Sequence, residues 1–158
     1  MGMIPILDMK MVQASDAARL SGLSPHQLRE WCGRRGVVTP DVPPAGRGHL
    51  ALFSWQTILA LRVLNEMHQR YGVEVIAWRP AIAQLQTLLT GRPFPALWGA
   101  FAVFPNSQEA MLRLQGEAAP ERTCLAASLD GHLEMLATPD DLGVEAQLSL
   151  FPALVVRR

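Results

Sequence analysis

The stretch that decides the fold is SDAARLSGLSPHQLREW, residues 15–31. Ser15 is a good N-cap for a short helix, which Gly22 then breaks. Ser24 followed by Pro25 marks the start of a second helix, because serine caps helices and proline favours their first position. Two short helices joined by a glycine turn predict a helix-turn-helix.

The second helix combines an apolar side with a polar outer end. Leu28 and Trp31 are spaced to hold it against the core, and Gly36 is well placed to end it. The recognition helix of a helix-turn-helix places its N-terminal side chains in the major groove of DNA. The candidate DNA-binding residues on this helix and its exit are Ser24, His26, Gln27, Arg29, Arg34 and Arg35.

The arginines also have a simpler interpretation. Arg29 could be an ordinary solvated residue, and Arg34 and Arg35 could simply oppose the helix dipole. The aromatic side chain of Trp31 is better suited to the core than to binding.

After the second helix the sequence predicts a wing and two more helices. The Pro/Gly-rich loop 39–48 cannot be helical, and residues 50–53 could form a short strand. Ser54 caps a longer helix that Gly72 ends, and another helix starts near Pro80. The apolar face of the longer helix is predicted to consist of Ala60, Val63, Leu64, Met67 and Tyr71.

Beyond Pro95 the helical period fades and short apolar runs replace it. Asp130-Gly131 is a favoured hairpin turn, which predicts strands on either side, over 123–129 and 132–137. Residues 147–156 predict one or two final strands. The predicted fold class is therefore α+β: an N-terminal winged helix-turn-helix of about four helices with a small wing, followed by a small antiparallel β region.

The charge distribution divides the chain into two predicted domains. Residues 1–92 carry ten Lys/Arg and six Asp/Glu, whereas residues 93–158 carry four and eight, so the formal charges are +4 and −4. This asymmetry favours a basic nucleic-acid module joined to an acidic partner module, although chance variation over two solvated surfaces also produces it. We therefore expect a DNA-binding domain over 1–92 and a β-rich dimerisation or partner-binding region over 93–158.

Several classes of protein are disfavoured by the composition and motifs. No apolar stretch approaches the ~20 residues of a membrane span, and residues 1–11 do not resemble a secretory signal, so we expect a cytoplasmic protein without membrane contact. Cys32 and Cys124 form no CxxC pair and the four histidines are scattered, so no metal site is expected. Without a nucleophile–base pair or a P-loop, we expect neither an enzyme nor a cofactor.

The order of these features resembles the DNA-binding domain of the MerR family of transcription regulators, over about residues 11–90. The motifs that carry the resemblance are ARLSGLS (18–24), LREW (28–31), GVV (36–38), the wing GRGH (46–49) and FS (53–54). The resemblance implies binding to double-stranded DNA, usually as a dimer. It also implies that Arg29 contacts the phosphate backbone, and it adds the wing residues Arg47 and His49 to the candidate site.

Two features depart from the family pattern. Residues 50–53, LALF, lack the wing arginine and tyrosine, and no heptad array follows Leu89. We therefore expect a homodimer whose contacts lie mainly within residues 95–158, where the apolar segment 148–156 needs cover, either from its own domain or from a second chain.

The leading hypothesis is a sequence-specific, double-stranded DNA-binding transcriptional regulator of MerR-like type. The alternative is an antitoxin-like or adaptor module that uses the helix-turn-helix scaffold for protein interaction, with a protein partner bound through residues 93–158. A ligand sensor or enzyme with a site in the C-terminal sheet is a third class, for which the sequence offers no specific motif.

Overall fold

The computed structural model describes residues 11–137, and this part of the chain has the α+β architecture predicted from the sequence. These residues form five α-helices and five short strands, which pair in an antiparallel manner. The elements in chain order are β1 (Val12–Gln13), α1 (Ala14–Ser21), α2 (Pro25–Arg29) with a π-helical extension (Glu30–Arg34), β2 (Leu52–Phe53), α3 (Trp55–Tyr71), α4 (Arg79–Leu89), a 3-10 turn (Phe94–Leu97), β3 (Phe101–Asn106), β4 (Glu109–Arg113), β5 (Leu125–Ser128) and α5 (Asp130–Ala137).

The start of α1 differs from the prediction. The helix begins at Ala14, its N-cap is Gln13, and that residue makes no side-chain capping hydrogen bond. Ser15 therefore lies inside the helix, and the predicted cap was wrong. The physical reason is that β1 runs directly into α1, so pairing of Val12 with Phe53 sets the helix start in place of a local cap.

The long helix α3 begins and ends where the sequence predicts. The Ser54 hydroxyl accepts a hydrogen bond from the Thr57 amide, and Gly72 ends the helix in a left-handed conformation at φ 64°. Four of the five predicted face residues are buried, but Tyr71 is 66 % exposed, so its assignment to the core was wrong. The last turn of α3 extends past the core that its earlier turns bury.

The Asp130-Gly131 pair starts a helix, and the predicted hairpin at this point was wrong. The Asp130 carboxylate accepts a hydrogen bond from the Gly99 amide at 2.7 Å, and α5 then buries Leu133 and Leu136 at helical spacing. The strand predicted just before it is present as β5, whereas residues 132–137 are helical. The strands predicted over 147–156 lie outside the described residues.

Two antiparallel sheets flank the helices. The first joins β1 to β2, and a bridge between Val42 and Leu52 ties the wing to it. The second has the order β4-β3-β5, with β3 in the centre, and α4 packs against β4 and β3.

One connected set of buried side chains runs through the described part of the chain, from Val12 in β1 to Leu136 in α5. Two aromatic pairs belong to these contacts. Trp55 of α3 packs edge-on against Phe94 of the 3-10 turn at 5.4 Å between centroids, and Trp78, just before α4, packs against Phe104 of β3 at 5.7 Å. Over residues 11–137, no helix is both long and apolar enough to span a membrane.

Candidate nucleic-acid interface

The turn between α1 and α2 depends on Gly22. This residue has a φ of 77°, a left-handed conformation that side-chain-bearing residues rarely adopt. A Cβ atom there would also lie 3.3 Å from the side-chain amide nitrogen of Asn65. Leu23 then turns inward, is buried, and donates its amide to the Ala18 carbonyl at 2.9 Å. The turn therefore holds α2 at a fixed angle to α1.

A reciprocal pair of hydrogen bonds fixes the start of α2. The Ser24 hydroxyl accepts from the Gln27 amide at 3.1 Å, and the Gln27 side-chain oxygen accepts from the Ser24 amide at 3.0 Å. This is a complete capping box. Because the Gln27 oxygen already accepts this hydrogen bond, the side-chain NH₂ group is the part of Gln27 that remains for a further partner. Ser24 thus has a positioning role that the sequence motif alone indicated only in part.

The two faces of α2 separate anchoring residues from exposed ones. Leu28 and Trp31 are buried, and the Trp31 ring meets the His68 ring edge-on at 5.8 Å between centroids. His26 and Arg29 are exposed on the other side. The anchored face leaves the polar face free to meet a binding partner.

After Arg29 the helix widens into a π-helical turn, in which the Arg35 amide donates to the Glu30 carbonyl at 2.8 Å. Such turns occur frequently at functional sites. Glu30 also forms ion pairs with two arginines. Its carboxylate oxygens lie 3.9 Å from Arg34 Nη1 and 3.7 Å from Arg35 Nε. The Arg34 side chain is 83 % exposed, so this ion pair contributes little to stability.

Glu30 was not among the candidate DNA-binding residues predicted from the sequence, although it contacts two of them. Its four-residue spacing from Arg34 is a recognisable ion-pair signal on a helix. Its position orients both arginines at the helix exit while leaving their guanidinium groups near the surface.

Cys32, within the π-helical turn, is a half-buried free thiol. Burial raises its pKa to about 12, so the thiol stays protonated at neutral pH. It therefore acts as a small packing residue behind the recognition helix.

The wing loop, residues 43–51, carries Arg47 and His49, both exposed. Its base is held at two points. The Asp41 carboxylate accepts from the Ser54 amide at 2.7 Å and from the Ser54 hydroxyl at 2.9 Å. On the other side, Gln86 of α4 forms two hydrogen bonds with the Thr39 backbone.

Gln86 could not be found from the sequence, because it is 47 residues away from Thr39 and no local motif links them. Its side-chain NH₂ donates to the Thr39 carbonyl at 2.6 Å and its oxygen accepts from the Thr39 amide at 3.2 Å. The helix after the wing thus anchors the base of the wing loop, while the loop itself stays exposed.

The predicted site residues fall into two groups. The first group lies on one continuous segment, residues 24–35, and the second on the wing loop. A polar cavity of about 420 Å³ adjoins the first group, where α2 meets the end of α3. It is lined by His26, Gln27, Glu30, Trp31, Arg35, His68, Glu74 and Val75. Within residues 11–137, no cluster of three or more His, Cys, Asp or Glu side chains could hold a metal ion.

The geometry defines a helix-turn-helix with an attached wing. Residues 12–79 match the model of a protein family described as the MerR HTH family regulatory protein. This segment is therefore a MerR-type helix-turn-helix, as the sequence motifs indicated. The family is one of DNA-binding transcription regulators, which supports binding of double-stranded DNA by this segment. No curated protein matches the chain.

Proposed function

We propose that this chain is a sequence-specific transcription regulator that binds double-stranded DNA through residues 24–35 and the wing loop. The observation that carries the proposal is the capped, exposed start of α2, which lies inside the segment that matches the MerR family. The buried Leu28 and Trp31 give this short helix a rigid support, so its outer side chains enter the groove without first being ordered.

The side chains divide into two kinds of contact. His26 and the Gln27 NH₂ group lie at the start of α2, and the NH₂ group suits acceptor atoms on base edges, such as N7 of a purine in the major groove. Arg29, Arg34, Arg35 and Arg47 suit phosphates, with His49 beside Arg47 on the wing. Phosphate contacts would set the register and orientation of the helix, and base contacts would supply the sequence preference.

Glu30 has an electrostatic role in this proposal. In the free protein it neutralises part of the charge on Arg34 and Arg35. When the two guanidinium groups meet phosphates, they exchange a weak surface ion pair for a stronger contact with the DNA backbone. Glu30 would thus keep both arginines extended near the helix exit before DNA arrives.

Selective binding also calls for a second copy of the chain. One short recognition helix contacts few base pairs, and twofold dimers solve this by reading two half-sites about one helical turn apart. We assign the dimer contacts to residues 95–158. Light scattering on the full chain at micromolar concentration should give the mass of a dimer, and a monomer would contradict this part of the proposal.

The function is tested by selecting bound sequences from random duplex DNA with the full-length protein. We expect enrichment of an inverted repeat. Recovery of a random pool would contradict sequence-specific binding.

A salt titration on the selected duplex then tests the site. Arg29→Ala should weaken binding and lower the slope of log affinity against log salt by about one, because one phosphate contact is lost. The matched control is Arg122→Ala, which removes an exposed arginine far along the chain from the helix-turn-helix. Equal slopes for both variants would remove Arg29 from the interface.

A further inference from the structure

The sheet β4-β3-β5 has two unlike faces. Side chains of neighbouring residues along a strand point to opposite faces. Ala102, Phe104 and Ala127 belong to the connected core. The alternate set includes Phe101 and Val103, and Phe101 pairs in register with Arg113 of β4. We call this second set the outer face of the sheet.

A cavity of about 330 Å³ lies on the outer face, at the small end of the ~300–1,000 Å³ typical of ligand sites. Its floor is apolar: Val103 is only 1 % exposed although it stands outside the main core. Phe101 is 43 % exposed at the edge. The loop that follows β4 forms the opposite wall, with Ala118, Ala119 and Pro120.

Two hydrogen bonds hold the turn at the start of this loop. The Glu117 amide donates to the Leu114 carbonyl at 3.1 Å, and the Leu114 amide donates to the Glu117 carboxylate at 3.2 Å. This tight turn fixes the position of the loop as it leaves β4. Leu114 and Glu117, the two ends of this turn, both line the cavity.

Arg113 and Glu117 are the charged side chains that line this apolar space, and Arg113 is its cation. The Nε atom of Arg113 is buried, and it has no hydrogen-bond partner in the part of the chain that the structure describes. A buried guanidinium N–H without an acceptor is costly, and buried polar groups are nearly always satisfied. Glu117 also lines the cavity, but residues 11–137 contain no ion pair between its carboxylate and Arg113 within 4.0 Å.

We propose that this cavity binds a small monocarboxylate with an apolar body. The carboxylate would accept from Arg113, whose planar fork matches a carboxylate with two parallel hydrogen bonds. The apolar body would lie against Phe101 and Val103. A phosphate or a nucleotide is disfavoured, because the lining offers one cation, few other donors and a mainly apolar surface.

Calorimetric titration of the full-length protein with sodium hexanoate, in the absence of DNA, tests the proposal. We expect saturable binding, with hexanamide weaker by about tenfold or more because it lacks the charge that pairs with Arg113. Acetate should also bind more weakly, since it has no body to fill the apolar floor. Equal affinity for hexanoate and hexanamide, or no saturable binding of hexanoate, would overturn the proposal.

A pair of variants locates the site. Arg113→Met keeps the length of the side chain and removes its charge, and it should weaken hexanoate binding by about tenfold or more. Arg122→Met is the matched control, since Arg122 is exposed and does not line the cavity, and it should bind hexanoate like the unaltered chain. Equal loss in the two variants, or none in Arg113→Met, would overturn the assignment.

Amide chemical-shift changes on adding hexanoate to the unaltered protein give a second, variant-free readout. They should cluster at Phe101, Val103 and Arg113. Shifts confined to residues 24–35 would place the ligand elsewhere and contradict the proposal. Because no DNA is present, these results stand or fall separately from the proposed regulatory function.

Discussion

The two regions of the molecule present their charged groups in opposite ways. Along residues 24–35, arginine side chains reach solvent from a short helix whose other face is anchored by buried Leu28 and Trp31. In the sheet region, Arg113 lines an apolar cavity and its Nε atom is buried. The first arrangement suits a large, highly charged partner met at the surface. The second suits a small ligand that is taken out of water.

Besides the apolar contacts between the two regions, one side chain forms hydrogen bonds to both of them. Arg62 of α3 donates through Nη1 to the Leu20 carbonyl of α1 at 2.7 Å, and through Nε to His132 Nδ1 of α5 at 3.3 Å. The other ring nitrogen of His132 lies 3.3 Å from the Glu66 carboxylate. The end of the first helix of the helix-turn-helix and the last described helix therefore meet at one guanidinium group.

Substitution of the core in each region is expected to have the largest effect. Trp31→Ala should lower the free energy of unfolding by roughly 3–5 kcal/mol, because it empties the site between α2 and the His68 ring. Leu133→Ala in α5 should cost about 2–5 kcal/mol. Denaturant unfolding followed by circular dichroism measures both.

The number of transitions in these unfolding curves shows whether the two regions unfold together or separately. Because buried side chains of both regions form one connected core, each substitution should shift a single transition. Two separate transitions, each moved by one variant alone, would show that the regions are energetically independent. A Trp31→Ala curve like that of the unaltered chain would show that its ring is not part of the core.

The regions also differ in how far the sequence predicts them. In the helix-turn-helix, structure follows from local chemistry: Ser24 and Gln27 cap each other, and Gly72 adopts the left-handed conformation that ends α3. Such signals lie within a few residues of one another. They predicted the elements of this region closely, although not the start of α1, which is set by the pairing of β1 with β2.

In the sheet region the decisive contacts are distant in sequence. Asp-Gly is favoured in hairpins, but aspartate is equally suited to the first turn of a helix. What decides between them is the Gly99 amide, 31 residues before Asp130, which donates to its carboxylate. For the same reason, no local sequence motif predicts the hydrogen bonds of Gln86 to Thr39 or the cavity lined by Arg113.

Removal of the Arg62 guanidinium group, which we call the joint between the two regions, should have an intermediate effect on the free energy of unfolding. Arg62→Met deletes the hydrogen bonds to Leu20 and His132 while keeping much of the side-chain volume. We expect a loss of roughly 1–3 kcal/mol in the free energy of unfolding, since a carbonyl acceptor is left without this donor.

Arg70→Met is the matched control for the joint, because Arg70 lies on the same helix and is exposed. It should change stability far less than Arg62→Met. If the two variants unfold alike, the hydrogen bonds of Arg62 do not stabilise the contact between the regions, and the apolar core alone does so.

The smallest expected effect is a pH dependence at the joint. Burial is the main cause that lowers the pKa of His132 from its ordinary value of 6.5. Glu66 opposes this shift, whereas the charges of Arg62 and Arg70 add to it. The unfolded chain then takes up a proton at a higher pH than the folded chain does. The free energy of unfolding should therefore decrease as the pH falls below 6.5, with no contribution from this group well above that value.

His132→Gln tests the assignment, because glutamine stays neutral throughout this range and still offers an acceptor to Arg62. Chemical unfolding at a series of pH values just below 6.5 should give a flatter slope for this variant than for the unaltered chain. His26→Gln, which replaces an exposed histidine on α2, should leave the slope unchanged. If His132→Gln leaves the slope unchanged as well, protonation of His132 is not coupled to folding.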